Sequence, residues 1–113
     1  MARAKKKTKK KDTIEKIMRE GFAHTNKYPY YFLLYVGHAA ALLQSGAVLL
    51  DCRGIIDVLR IQWSKKFKGD QNLGVYYAVK CIGLFPEVFE EKFRDTTYRF
   101  KSVDFDKLAK KYF

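Results

Sequence analysis

The stretch between Ile55 and Lys101 constrains the fold most. Two runs of helical periodicity, separated by a glycine turn, are followed after a proline by a run of alternating residues. From residue 52 to 67, Ile55, Ile56, Leu59, Trp63 and Phe67 recur at helical spacing, while Arg53, Asp57, Arg60 and Ser64 share the opposite face. Lys65, Lys66 and Lys68 crowd the last turn, where cations complement the helix dipole, and Gly69 permits a sharp change of direction. A second helix is predicted from residue 71 to about 84, with Asp70 or Asn72 as its cap and Pro86 beyond its end. Projected at about 100° per residue, Val75, Ala78, Val79 and Ile82 form a core face, whereas Asn72, Leu73, Tyr76 and Lys80 turn the other way.

Beyond Pro86, residues 87–93 and 97–101 read as two strands around a turn at Arg94, Asp95 and Thr96. In that register Phe89, Phe93, Tyr98 and Phe100 pack inward, and Lys92, Arg99 and Lys101 project outward with Glu90 beside them.

Upstream, residues 28–50 form the most hydrophobic window, with only His38, Gln44 and Ser45 as clearly polar interruptions. Its length would suffice to cross a bilayer. Gly46, however, divides it into a helix over residues 30–45, begun by Pro29, and a short buried strand over residues 47–50, after which Asp51 can cap the next helix. That division gives the segment a soluble explanation, and a membrane is not the expected partner. The aromatic excess from Tyr28, Tyr30, Tyr31, Phe32 and Tyr35 leaves two readings open: a homodimer contact, or packing against the terminal helices. At the N-terminal side, Asp12 and Glu15 resemble a capping box. Ile14, Ile17, Met18 and Phe22 mark one face of a helix reaching about His24, which could dock or pair two copies. At the other end, Ser102 can cap a helix whose face is Phe105, Leu108, Ala109 and Tyr112.

In this order of elements, residues 30–101 resemble the winged helix-turn-helix family, and the chain is similar in size to the small DNA-binding regulators of archaeal viruses. The resemblance is one of architecture, without a signature motif. It implies an α+β, mainly helical fold, a winged helix-turn-helix with extra N- and C-terminal helices. It also implies a second helix in the major groove, offering Asn72, Tyr76 and Lys80, and a wing on the DNA backbone, offering Arg94 and Arg99.

Charge points the same way. Of the net +11, Arg3, Lys5, Lys6, Lys7, Lys9, Lys10 and Lys11 contribute seven before the first acid at Asp12, leaving +4 for the rest. A structureless basic arm over residues 1–11, ahead of a single domain over residues 12–113, suits a polyanion. Lys65, Lys66 and Lys68 would anchor the phosphate backbone near the turn. The expected function is sequence-specific or semi-specific double-stranded DNA binding by a transcriptional regulator. It would act as a homodimer in the cytoplasm, or in the nucleus of a eukaryote. RNA stays open as an alternative polyanion. The competing reading is a protein-interaction or ribonucleoprotein assembly module whose arm touches nucleic acid non-specifically.

An enzyme is not expected, because the chain holds no P-loop, GxGxxG, HExxH or nucleophile elbow. Cys52 and Cys81 lie far apart, without a CxxC or a Cys/His cluster, and read as buried reduced thiols; no metal or cofactor is implied.

Overall fold

A computed structural model describes residues 13–63, 71–95 and 103–113. The described chain is mainly helical: α1 (Thr13–Lys27), α2 (Tyr30–Gln44), β1 (Leu50–Asp51), α3 (Cys52–Gln62), α4 (Asn72–Leu84), α5 (Pro86–Phe89), β2 (Phe93–Arg94) and α6 (Phe105–Tyr112).

Local chemistry sets most boundaries. Gly46 takes φ +104°, a conformation that costs glycine little, and it ends α2. Its amide donates to the Leu43 carbonyl at 3.1 Å and that of Ala47 to Leu42 at 3.0 Å, the paired bonds of a Schellman stop. Asp51 caps α3 as expected, its carboxylate accepting from the Arg53 amide at 3.1 Å. The cap of α6 is Asp104, which accepts from the Lys107 amide at 3.1 Å; the expected cap, Ser102, lies outside the described residues. Helix α1 runs one turn beyond His24, with His24 and Lys27 in its last turn, where positive charge suits the dipole.

The buried strand expected over residues 47–50 shrinks to β1 (Leu50–Asp51), with Val48 and Leu49 exposed, and three further expectations need correction. Residues 87–93 do not form one strand. Pro86 occupies the first turn of the four-residue helix α5, where its fixed φ and missing N–H cost nothing, and the Glu90 amide closes the turn on the Pro86 carbonyl at 2.9 Å. Second, β2 pairs with β1 in parallel, Leu50 opposite Phe93 and Asp51 opposite Arg94, rather than within an antiparallel hairpin. The other strand of the expected wing, residues 97–101, lies outside the described residues. Third, the helix from Cys52 ends at Gln62, and Trp63 is a half-exposed C-cap instead of a core residue.

The core is organised around α4, against which α1, α2, α3, α5 and α6 all pack. Nine of its thirteen residues are buried, so the helix behaves as the axle of the fold. Aromatic rings fill the gaps: Phe22 of α1 meets Tyr76 edge-on at 5.2 Å, and Tyr35 of α2 meets Tyr77 at 5.2 Å. Such pairs add about 0.5–1.5 kcal/mol each beyond the area they bury.

Candidate nucleic-acid interface

The N-termini of α3 and α4 are held side by side. The Tyr35 hydroxyl, wholly buried on α2, lies 3.0 Å from the Cys52 carbonyl and 3.3 Å from that of Gly74, so one donor is shared between two helices. The approach is close enough that a Cβ on Gly74 would sit 2.3 Å from the Cys52 carbonyl oxygen. Only glycine fits there.

This junction places Arg53 between two partners far away in sequence. Its Nε donates to the Asp95 carboxylate at 3.0 and 3.1 Å, and its Nη1 donates to the Asn72 Oδ1 at 2.9 Å. The Arg53 side chain is one-tenth exposed and that of Asp95 is fully buried. Removing one partner of such a pair would leave a charge without compensation, at a cost of about 3–5 kcal/mol. Arg53 was expected on the solvent face of α3 and Asp95 in a solvent turn. Their pairing joins residues 42 apart, and no local pattern announces it.

The geometry around Arg53 has a consequence for charge. Asn72 opens α4, directly after the segment that carries Lys65, Lys66 and Lys68. Asp95 directly precedes the segment that carries Arg99 and Lys101. A single guanidinium therefore ties together the described ends of two basic segments. Those five cations, like Lys5, Lys6, Lys7, Lys9, Lys10 and Lys11, lie outside the described residues. Arg94, next to Asp95 on β2, is exposed, and so is Arg60 on α3. Asp57, on the same helix, accepts from the Gln71 side-chain Nε2 at 2.8 and 2.9 Å. This bond ties α3 to the residue before α4.

The other predicted contacts are distributed differently. Asn72 is half-buried and its amide oxygen is engaged by Arg53 rather than capping α4, whose N-cap is Gln71. Lys80 is half-buried with its ammonium 4.7 Å from the centre of the Phe32 ring; burial lowers its pKa. Tyr76 must be withdrawn from the set of base-reading residues. It is 1% exposed, enclosed by Phe22 of α1 and by Phe113 after α6. Leu73 is buried too. The middle of the expected α4 face, at Tyr76, is thus covered by α1 and by Phe113. The amphipathic stripes of the terminal helices pointed to docking or pairing without showing which.

Cys52 and Cys81 are free and buried, and burial pushes both thiols well up in pKa. Among the described residues no group of three or more His, Cys, Asp and Glu side chains is arranged to hold a metal ion, and no helix is long and apolar enough to cross a membrane. Compared with known proteins, the chain matches no family model, no curated protein and no solved structure.

Proposed function

We propose that the protein is a non-enzymatic double-stranded-DNA-binding regulator of winged helix-turn-helix type, working in the cytoplasm or nucleus. It would hold DNA mainly through the phosphate backbone. The observation that carries this reading is the Arg53 clamp. Lys68 is four residues from Asn72 and Arg99 four residues from Asp95, so chain connectivity limits each to roughly 14 Å from its anchor. Exposed Arg94 stands at the same edge. Two basic segments thus join the described chain at Asn72 and Asp95, the two residues that Arg53 holds, beside a surface arginine, and cations clustered there would release counterions on meeting a polyanion.

Base reading through α4 is then confined to its first turn, at Asn72, with Lys80 as a lateral contact. This favours semi-specific recognition in which phosphate contacts dominate. The lysines of residues 1–11 add non-specific attraction. The second reading, a protein-docking or ribonucleoprotein assembly module with a basic arm, is favoured by the cover that α1 and Phe113 place over Tyr76, since a buried face cannot enter a groove.

Duplex binding measured against salt tests the choice, comparing the full chain, a chain lacking residues 1–11, and the full chain with Lys65, Lys66, Lys68 and Arg94 changed to Glu. DNA binding by the domain requires affinity that survives loss of the arm, weakens with salt at a slope of about −0.9 per phosphate contact, and disappears on charge reversal. Binding that vanishes with the arm and ignores the reversals, or an RNA competitor that wins outright, would overturn it.

A further inference from the structure

Helix α2 is a long element whose outer face is covered by none of the described residues. Tyr30, Leu33, Gly37, Ala41 and Gln44 are all exposed, at spacings of three, four, four and three residues, so they form a single stripe along the whole helix. Leu33 is 66% exposed, and just past the helix end Val48 is 76% exposed. The opposite side of α2, with Tyr31, Phe32, Tyr35 and Ala39, is the buried one.

Two further observations bear on what could cover the stripe. The first is charge. In a chain of net charge +11, residues 28–50 contain no Asp, Glu, Lys or Arg. Two copies of a polycation repel wherever their charged surfaces meet within a Debye length, about 8 Å at physiological salt. The α2 stripe is a face on which they can meet without that cost. A polyanion, conversely, finds nothing there to pair with.

The second is Gly37, at the midpoint of α2. Glycine inside a helix costs about 1 kcal/mol relative to alanine. At Gly21 and Gly74 the reason lies inside the fold, since a Cβ would stand 2.2 Å from the Tyr76 ring and 2.3 Å from the Cys52 carbonyl oxygen. At Gly37 no atom of the described residues lies within 4 Å. Close approach by another chain supplies a reason that the described residues do not.

We propose that the outward face of α2 is a self-contact, in which two copies pack about a two-fold axis with their α2 helices crossing at Gly37. A two-fold contact is isologous, so the midpoint glycine of one helix meets that of the other, and Leu33 and Ala41 flank the crossing symmetrically. The alternative pairing through α1 is disfavoured because its apolar residues Ile17 and Met18 are already buried within the chain.

Sedimentation of the full chain across a concentration series, without nucleic acid, tests the contact independently of the DNA reading. The wild type is expected to shift from monomer to dimer, and Leu33→Glu to remain monomeric with an unchanged circular dichroism spectrum. Gly37→Cys should form a disulfide-linked dimer under mild oxidation, because helices crossing there bring the two Cα atoms within disulfide range, whereas the native Cys52 and Cys81 are buried. Combining Leu33→Glu with Gly37→Cys should suppress that cross-link. A wild type that stays monomeric throughout, a dimer that survives Leu33→Glu, or a dimer that Gly37→Cys fails to cross-link would each overturn the proposal.

Discussion

Helices α4 and α2 are written in nearly the same alphabet, yet one is enclosed and the other presents a bare side. Both are apolar almost all round, with Lys80 the only formally charged residue in either. Five neighbouring helices surround α4, so its residues from Leu73 to Val79 are all buried. Helix α2 meets its neighbours on one side only, leaving Tyr30 and Leu33 to solvent. An apolar helix therefore announces that it will be covered on several sides, but not by what. For α4 the cover is intramolecular. For α2 none of the described residues supplies it, and the proposed self-contact would.

Tyr76 gives the largest test of this contrast. Tyr76→Ala should cost about 3–5 kcal/mol of stability, the usual penalty for emptying a large aromatic site in a core. Leu33→Ala, on the bare side of α2, should stay within about 0.5 kcal/mol in the dilute monomer. Urea unfolding of both variants measures the difference. A Tyr76→Ala protein of wild-type stability would mean that the residue faces outward after all. Of comparable size is Asp95→Ala, which strands the buried Arg53 and should cost about 3–5 kcal/mol. Replacing Arg53 and Asp95 together by apolar residues should recover much of that loss. If the double replacement is no better than the single one, the cost does not arise from the uncompensated charge.

These residues also mark where the sequence was readable. The limits of α2, the start of α3 and the end of α4 follow from Pro29, Gly46, Asp51 and Pro86, because each acts on the backbone within a few residues of itself. The hairpin expectation failed at Pro86 for a related reason. Its neighbours Val88 and Phe89 fit an alternating strand as well as a short helix, and a proline in the first turn decides for helix. Tyr76 was misassigned because angular position along one helix cannot show which face a distant segment will cover. The Arg53 and Asp95 pair was invisible for the same reason. Of the candidate interface, the basic residues are legible as composition, while the Arg53 clamp on Asn72 and Asp95, the described residues that flank two of their segments, is not.

Gly74→Ala should rank next, at about 1–3 kcal/mol or more, because the added methyl meets a backbone carbonyl that cannot move without shifting the start of α3. The loss should be shared with Tyr35→Phe, which removes the hydroxyl lying against the same two carbonyls. A Gly74→Ala variant as stable as wild type would show that the two helices are not in such close contact.

Alkaline pH probes the enclosed side as a whole. The thiols of Cys52 and Cys81 and the phenols of Tyr35 and Tyr77 are all pushed up in pKa, chiefly by burial. A raised folded value means that the native state holds protons which the unfolded chain releases. Stability is then fully present below the unfolded pKa and is lost as pH rises above it. The thiols set the onset near pH 8.5, and the tyrosines steepen the fall from about pH 10. Each fully engaged group contributes about 1.4 kcal/mol per pH unit. Urea midpoints that stay flat to pH 10 would contradict the burial of both cysteines.

The smallest effect separates the two helices most sharply, because it has the opposite sign. Gly37→Ala places its methyl in open space on the exposed side of α2. In dilute solution it should therefore stabilise the monomer by roughly 0.5–1 kcal/mol, the helix-propensity difference between glycine and alanine. At concentrations where copies associate, the same methyl stands at the proposed crossing and should weaken the dimer. Thermal unfolding as a function of protein concentration reads both effects in one series. The variant should melt above the wild type when dilute, and the advantage should shrink or invert as the wild type gains stability from association. A gain that holds at every concentration would leave Gly37 without a role in close packing, and the bare face of α2 would need a different partner.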